Sequence, residues 1–344
     1  MKKILCIMLT MVLLATALLA GCGNAAEPNT STEGTKEMQE DNNKPDSTLR
    51  ILMVGNSFCY YYVEELYQLL MENLPQGIDA VEIYNLYYSG CNLTQHYTWW
   101  KQGAANYDLF RVNATGRRQL TSSNYKCSLE QALAEADWDY ISLQGTVSNG
   151  SYMNKDKRET TRQGIVQMAE PLLDRFHELY PNAQLLWHRT WYSEIGRIGS
   201  DGYVYTAEGG PRYDEGMQDI CDYMCNEFDK NKPYDLKMVN SGAAWTEARK
   251  LNETADLLPY GGLCARLNIN KFGDESLHSG DGYHDGDIGG GQLLNAYIWY
   301  MTLTGNTDLS ASKYAPVYQY NSVDYPLSAE LIDMLKTAAM NSFK

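Results

Sequence analysis

Short apolar runs of strand length alternate with helically spaced apolar residues through most of this chain, and that alternation restricts its fold more than any other property of the sequence. The first run, residues 49–54, ends at Gly55-Asn56-Ser57; Val63, Leu66, Leu69, Leu70 and Leu74 then recur at helical spacing. Further strands are predicted at 81–88, 139–144, 183–190 and 236–240, and a hairpin over 107–120 turning near Ala114-Thr115-Gly116. Helices are predicted after the cap Ser128, over 158–180 up to Pro181, and over 217–228, 241–250, 288–303 and 328–340. Strands separated by helices imply a mostly parallel sheet covered on both faces. The expected fold is therefore α/β: a three-layer α/β/α sandwich with about five central strands. Functional residues of such sheets sit on loops beyond the carboxyl ends of the strands.

The N-terminus has a different logic. Lys2 and Lys3 precede an apolar run from Ile4 to Leu19, and Leu19-Ala20-Gly21-Cys22 follows. A charged start, a short apolar core and small residues before a cysteine make a signal peptide, too short for a mature membrane span. The Leu-Ala-Gly-Cys tetrapeptide resembles a lipobox, which makes residues 1–21 a lipoprotein signal and Cys22 the lipidated new N-terminus. Lipid then anchors the chain without a spanning helix, on the extracytoplasmic side of a bacterial membrane. Residues 22–48 are so polar that ordering them has little to offset it, so they read as a disordered tether. Residues 49–344 read as one domain.

Charge and cysteines exclude some functions. The chain carries −15, and without Lys2 and Lys3 there remain 26 basic residues against 43 acidic ones, a mature charge of −17. Nucleic acid and anionic lipid faces need basic patches, so neither is an expected partner. Beyond Cys6 and Cys22 there are six cysteines: Cys59, Cys91, Cys127, Cys221, Cys225 and Cys264. An even number in an exported chain permits disulfides. Cys221 and Cys225 share a helix face, as small buried hydrophobes do. Cys59 and Cys91 fall near the expected site.

Two stretches carry chemistry. Ser57 lies where the first strand becomes a helix, a position that exposes its hydroxyl and aims its backbone N–H at developing negative charge. A capping role would also suit it, but a serine with a neighbouring base becomes a nucleophile. Asp281-Gly282-Tyr283-His284 supplies that base: the carboxylate can hold the imidazole Nδ1–H and leave Nε2 to take a proton.

Together these residues resemble the SGNH hydrolase superfamily, the GDSL-like esterases, in a branch with a Gly-Asn-Ser-Phe turn typified by domain-of-unknown-function families. The resemblance runs from about Arg50 to Gly305. Its blocks are Gly55-Asn56-Ser57, with Asn56 where Asp is usual; Gly90 after the second strand; Gln144-Gly145-Thr146 after the third; and Asp281 to His284. The third block departs from the family's usual Gly-x-Asn-Asp and looks more like the Gln-Gly-Glu-x-Asn run of sialic-acid and xylan acetylesterases. The resemblance implies a flavodoxin-like SGNH fold and a serine esterase acting on an acetyl or other short acyl ester of a carbohydrate. It assigns Ser57, His284 and Asp281 to catalysis. The N–H groups of Ser57 and Gly90 and the Gln144 side chain would form an oxyanion hole. Asn149, His188 and Trp191 are candidate substrate contacts, and Trp99 and Trp100 belong with them as aromatic candidates.

No cofactor or metal is expected. Asp281, Asp285 and Asp287 lack the distal Glu of an EF-hand, and neither His278 nor His284 belongs to an HExxH or other zinc pattern. The 27 tyrosines and seven tryptophans suit a glycan cleft or ordinary half-buried surface. A second reading from another class is a non-catalytic glycan- or solute-binding lipoprotein. It accounts for the anchor and the aromatics and leaves the ordered Ser57, Gly90, Gln144 and Asp281/His284 set unexplained.

Overall fold

The computed structural model describes residues 47–145, 155–193, 209–267, 284–320 and 322–343. Cys22, Asn149 and Asp281, with the signal peptide and nearly all of the tether, lie outside the described residues. Those from 47 onward belong to one compact unit.

Strand β1 (Thr48–Gly55) lies in the middle of a seven-stranded sheet. It pairs in parallel with β2 (Ala80–Tyr87) on one side and β5 (Tyr140–Gln144) on the other. Beyond β5 lie β6 (Gln184–Arg189) and β7 (Leu236–Asn240), also parallel. These five are the expected strands. The hairpin of β3 (Asp108–Asn113) and β4 (Gly116–Gln119) extends the sheet antiparallel at the β2 edge, which brings it to seven. The sequence marks that hairpin, but pairing with β2 is a long-range contact that periodicity does not carry.

Both faces of the sheet are covered, and β1 shows why its run is apolar throughout. Successive side chains of a strand point to opposite faces. Ile51 and Met53 join the core under α1 (Val63–Glu72), α6 (Ser241–Ala255), α7 (Gly291–Thr304) and α8 (Ala329–Ser342). Leu52 and Val54 join the opposite core, under α2 (Leu93–Gln102), α3 (Leu129–Leu133), α4 (Arg158–Leu179) and α5 (Gly209–Tyr223). Helix α7 has no exposed face: Gly291 through Leu303 are all buried, Gln292 and Asn295 included. A mostly apolar helix with no solvated face belongs in an interior.

Helix α2 was not expected. Its start is nevertheless encoded, by an Asn92/Gln95 capping box, and its end by Gly103 at φ 62°. A short hairpin, β8 (Val317–Tyr320) with β9 (Val323–Pro326), likewise escaped the sequence reading. Among the described residues no helix is long and apolar enough to cross a membrane.

The strand order places a switch in winding direction at β1: the chain moves outward to β2 on one side and to β5, β6 and β7 on the other. Clefts in open α/β sheets form at such a switch, beyond the carboxyl ends of the strands. Residues 55–57 and 144–145 are at those ends.

Candidate active site

Ser57 opens a single 3-10 turn, Ser57–Cys59, directly after β1, and is 6 % exposed, buried rather than exposed as the strand-end position suggested. Asn56 caps it: Phe58 N–H donates to Asn56 Oδ1 (3.0 Å), and Cys59 N–H to the Asn56 carbonyl (3.0 Å). The turn is tight enough to require glycine at 55, where a Cβ would stand 2.5 Å from both Cys59 Sγ and Gln144 Oε1. No described residue accepts the backbone N–H of Ser57 or of Gly90. Gly90 has φ 68°, a left-handed conformation, in the turn between β2 and α2.

Asn56 ties three strand ends together. Its Nδ2–H donates to the Cys91 carbonyl (2.7 Å), beside Gly90. Its backbone N–H donates to Gln144 Oε1 (3.2 Å), and Gln144 Nε2–H returns a bond to Asn56 Oδ1 (2.8 Å). An aspartate here could not donate to the Cys91 carbonyl and would set two oxygens face to face. Asn56 thus makes bonds at this position that an aspartate could not. Gln144 is buried and bonded through both amide atoms to Asn56, so it fixes the Ser57 turn whatever else it does.

The cysteines around the turn are packing groups. Cys59 Sγ donates to the Asn56 carbonyl (3.3 Å), and burial pushes its thiol up to about 12. The Cys91 thiol, beside His96 Nδ1 at 3.6 Å, is also pushed up by burial to about 12. Thiols held protonated are poor nucleophiles. No disulfide joins any of the six cysteines from Cys59 to Cys264, so the even count does not reflect disulfides among them. Cys221 is buried and accepts from Trp187 Nε1–H (3.3 Å), as a small core residue.

His284 stands on the other wall of the turn. Its ring lies 5.9 Å from the ring of Phe58, the residue after Ser57, and 5.4 Å edge-on from Tyr61. The guanidinium of Arg266 covers Tyr61 at 3.9 Å and donates from Nε and Nη2 to the Asp285 carbonyl (3.1 and 2.7 Å). Asp285 is fully buried next to His284. Its carboxyl accepts from Asn295 Nδ2–H (3.3 Å), and burial raises it to about 6 against the opposing effect of Arg266 and His284. From the sequence Asp285 figures only as part of a calcium loop; a buried acid leaves no mark in periodicity.

The candidate contacts fall in different places. Trp191 is 3 % exposed, stacked on Trp245 at 4.4 Å and edge-on to Phe58 at 4.9 Å, so it packs the Ser57 turn from the interior. His188 is buried at the end of β6 with Nε2 3.2 Å from Ser241 Oγ, and burial lowers it to about 3, which keeps it neutral. Trp99 packs edge-on against the exposed Tyr88 at 4.8 Å, while Trp100 Nε1–H donates to Glu130 (2.8 Å). The aromatic rim beside Ser57 also contains residues not singled out from sequence. Tyr60 packs on Tyr87 (4.7 Å) and Phe110 (5.2 Å), with Arg117 over its ring at 4.3 Å. Among the described residues no group of acidic, histidine or cysteine side chains could hold a metal ion.

Comparison with known proteins adds the following. The sequence profile of DUF4886, a domain of unknown function, matches residues 50–196. No curated protein matches the chain. Among solved structures it is similar to a DUF4886 family protein from Bacteroides uniformis, at 21% identity and a TM-score of 0.57, over 86% of this chain and 94% of that one. Weaker similarity extends to a catalytic mutant of an acetylxylan esterase from Geobacillus stearothermophilus (13% identity, TM-score 0.38, 75% and 94% covered). It extends also to a family 3 carbohydrate esterase from Clostridium thermocellum (14%, 0.36, 74% and 95%). The mostly parallel seven-stranded α/β fold is thus one that this chain shares with a DUF4886 protein of known structure, and residues 50–196 carry that family's sequence pattern.

Proposed function

We propose that the protein is a serine esterase that removes acetyl or another short acyl group from a carbohydrate at the bacterial cell surface. The observation that carries the reading is the meeting of the Ser57 turn and His284 across Phe58, at the strand ends where this fold opens a cleft. Ser57 Oγ attacks the ester carbonyl carbon while His284 takes the hydroxyl proton. The oxyanion is received by the N–H groups of Ser57 and Gly90, with Gln144 as the side-chain donor; each such donor is worth about 10²–10³ in rate. The C–O bond breaks and the sugar hydroxyl leaves with the proton from His284. Water, deprotonated by His284, then releases the carboxylic acid and restores Ser57. Asp281 orients the imidazole and stabilises its charged form. A fluorophosphonate probe and a panel of acetylated glycans test the reading: wild type should be labelled at Ser57 and release acetate. Glycan binding with neither labelling nor turnover would favour the non-catalytic alternative.

The rim supports a short acyl group. Beside the apolar Phe110 it holds Tyr60, Tyr61, Tyr87, Tyr88, Arg117 and Arg266, polar-tipped or charged, which suits a sugar better than a fatty chain. A buried methylene contributes roughly 0.8 kcal/mol, so an acyl trough would raise kcat/KM about fourfold per carbon. Nitrophenyl esters from acetate to palmitate are therefore expected to show falling kcat/KM beyond butyrate. A maximum at about eight carbons or more, the pattern such a trough produces, overturns the assignment.

The location rests on Cys22. Cys22→Ser is expected to abolish incorporation of labelled lipid and to release the protein from membranes. A serine variant that still enters the detergent phase carrying lipid rules the anchor out.

A further inference from the structure

We propose that Asp285 is a positioning residue for His284, fixing the imidazole against the Ser57 turn from inside the molecule. The inference rests on the esterase reading for its effect on turnover, but its geometry stands on packing alone.

Asp285 belongs to a closed chain of contacts that joins the two halves of the site behind the cleft. From Asp285 the chain runs to Asn295 Nδ2 on α7 (3.3 Å), and Asn295 Oδ1 accepts from Trp245 Nε1–H on α6 (2.9 Å). Trp245 stacks on Trp191 at 4.4 Å with only 8° between planes, Trp191 meets Phe58 edge-on at 4.9 Å, and Phe58 lies against His284 at 5.9 Å. The peptide bond from His284 to Asp285 closes the ring. Every member but His284 is buried, and close-packed interiors transmit displacement rather than absorb it.

The backbone of Asp285 is held as firmly as its side chain. Its carbonyl accepts two bonds from Arg266 and one from Gln292 Nε2–H (3.4 Å). A guanidinium that donates twice to one carbonyl while placed over the Tyr61 ring is a grip that lysine cannot reproduce. A buried carboxylate is costly unless it is paired. Asp285 faces Arg266 and His284, whose charges lower its affinity for a proton, while Cys59, Tyr62 and Glu65 face it from the turn and α1. No described residue bonds its Oδ1. An acid retained in so unfavourable a place, one residue from the base, is explained by what it holds.

The test compares Asp285→Ala, Asp285→Asn and Arg266→Lys with wild type in the full chain. Misplacing a catalytic group by about 1 Å costs on the order of 10²-fold in rate. Asp285→Ala is expected to lose that much kcat, with KM within about twofold. Asp285→Asn, which keeps an acceptor for Asn295, should recover most of the loss, and Arg266→Lys should fall between. Should Asp285→Ala not fold, Arg266→Lys carries the comparison, since Arg266 is half-exposed. Nitrogen NMR of the imidazoles gives a readout that needs no turnover: His284 signals should shift or broaden in Asp285→Ala and Arg266→Lys while those of His96 stay. Wild-type kcat and unmoved His284 signals in these variants overturn the inference. A wild type that neither reacts with fluorophosphonate nor hydrolyses esters overturns the esterase reading instead, and the NMR comparison still decides the role of Asp285.

Discussion

Ser57→Ala is expected to lower ester turnover by a factor on the order of 10⁵ or more and to abolish fluorophosphonate labelling, while leaving the fold unchanged. His284→Ala should be nearly as damaging, because members of a nucleophile–base pair act as a unit and removing either disables both. The expected insensitivity of the fold follows from the structure. The turn is held by Asn56, Gln144, Gly55 and the Cys59 thiol, and none of those contacts uses Ser57 Oγ. His284 is half-exposed, and its loop is secured through Asp285. Asp281→Asn should cost less than either, since that carboxylate orients and stabilises the imidazole without moving the proton itself. The measurement is kcat/KM on an acetyl ester, with the melting temperature recorded alongside. Turnover in Ser57→Ala within tenfold of wild type would remove Ser57 as nucleophile. Activity retained in His284→Ala and lost in His278→Ala would move the base to His278.

The elements that the sequence announced are those whose signal is local. Residues 49–54 are apolar at every position but Arg50 because β1 is buried on both faces, and the following glycine, asparagine and serine form the turn they suggest. Pro181 stops α4, and Ser128 caps α3 through its side chain. Ser57 stands out from its place at a strand end, and Gly90 and Gln144 from the resemblance; in the structure Asn56 bonds to Gln144 and to the Cys91 carbonyl beside Gly90. What stayed hidden depends on contacts distant in sequence. Helix α2 buries only Leu93 and His96, so its apolar face is too thin to stand out, and its Asn92 cap was the better signal. Trp191 was read as a substrate contact from its polar-tipped ring, yet 54 residues further on Trp245 offers it a stacking partner in the interior. His188 looked like a cleft residue because it ends β6; its burial comes from Tyr62 and Trp299, neighbours only in space. Asp285 shows the same limit in reverse. An acid in a Gly- and Asp-rich stretch reads as solvated surface, and only the folded chain reveals it fully buried beside His284.

Gly286→Ala is expected to be among the most destabilising single substitutions in the molecule, and to remove activity without touching a reacting group. A Cβ at 286 would stand 2.0 Å from the Ala265 carbonyl oxygen, 2.5 Å from the Cys264 carbonyl carbon and 2.7 Å from that of Ala265. All three are backbone atoms, so no rotamer change relieves the overlap. The same wall continues along the loop: a Cβ at 289 would meet the Gly262 carbonyl oxygen at 2.2 Å, and one at 291 the Leu263 carbonyl oxygen at 2.4 Å. Hydrogen bonds explain the closeness, since Gly286 N–H donates to the Leu263 carbonyl (2.8 Å) and Gly289 N–H to that of Ala265 (3.0 Å). Two backbone segments are thus laid directly on each other, one carrying Arg266 and the other His284. Separating them breaks those bonds in a buried place, so the cost should exceed the usual range and reach about 3–5 kcal/mol. At roughly 2–4 °C per kcal/mol for a domain of this size, the melting temperature should fall by about 6 °C or more. Movement of His284 away from Ser57 should cost on the order of 10²-fold in kcat even where the protein remains folded. Gly305→Ala is the matched control. That glycine has a left-handed φ of 71°, at the end of α7, and a Cβ there meets nothing within 4 Å. It should cost about 1 kcal/mol and leave kcat alone. If Gly286→Ala melts with wild type and turns over normally, the loop bearing His284 is not held by this backbone contact, and the geometry that supports the candidate base loses its foundation.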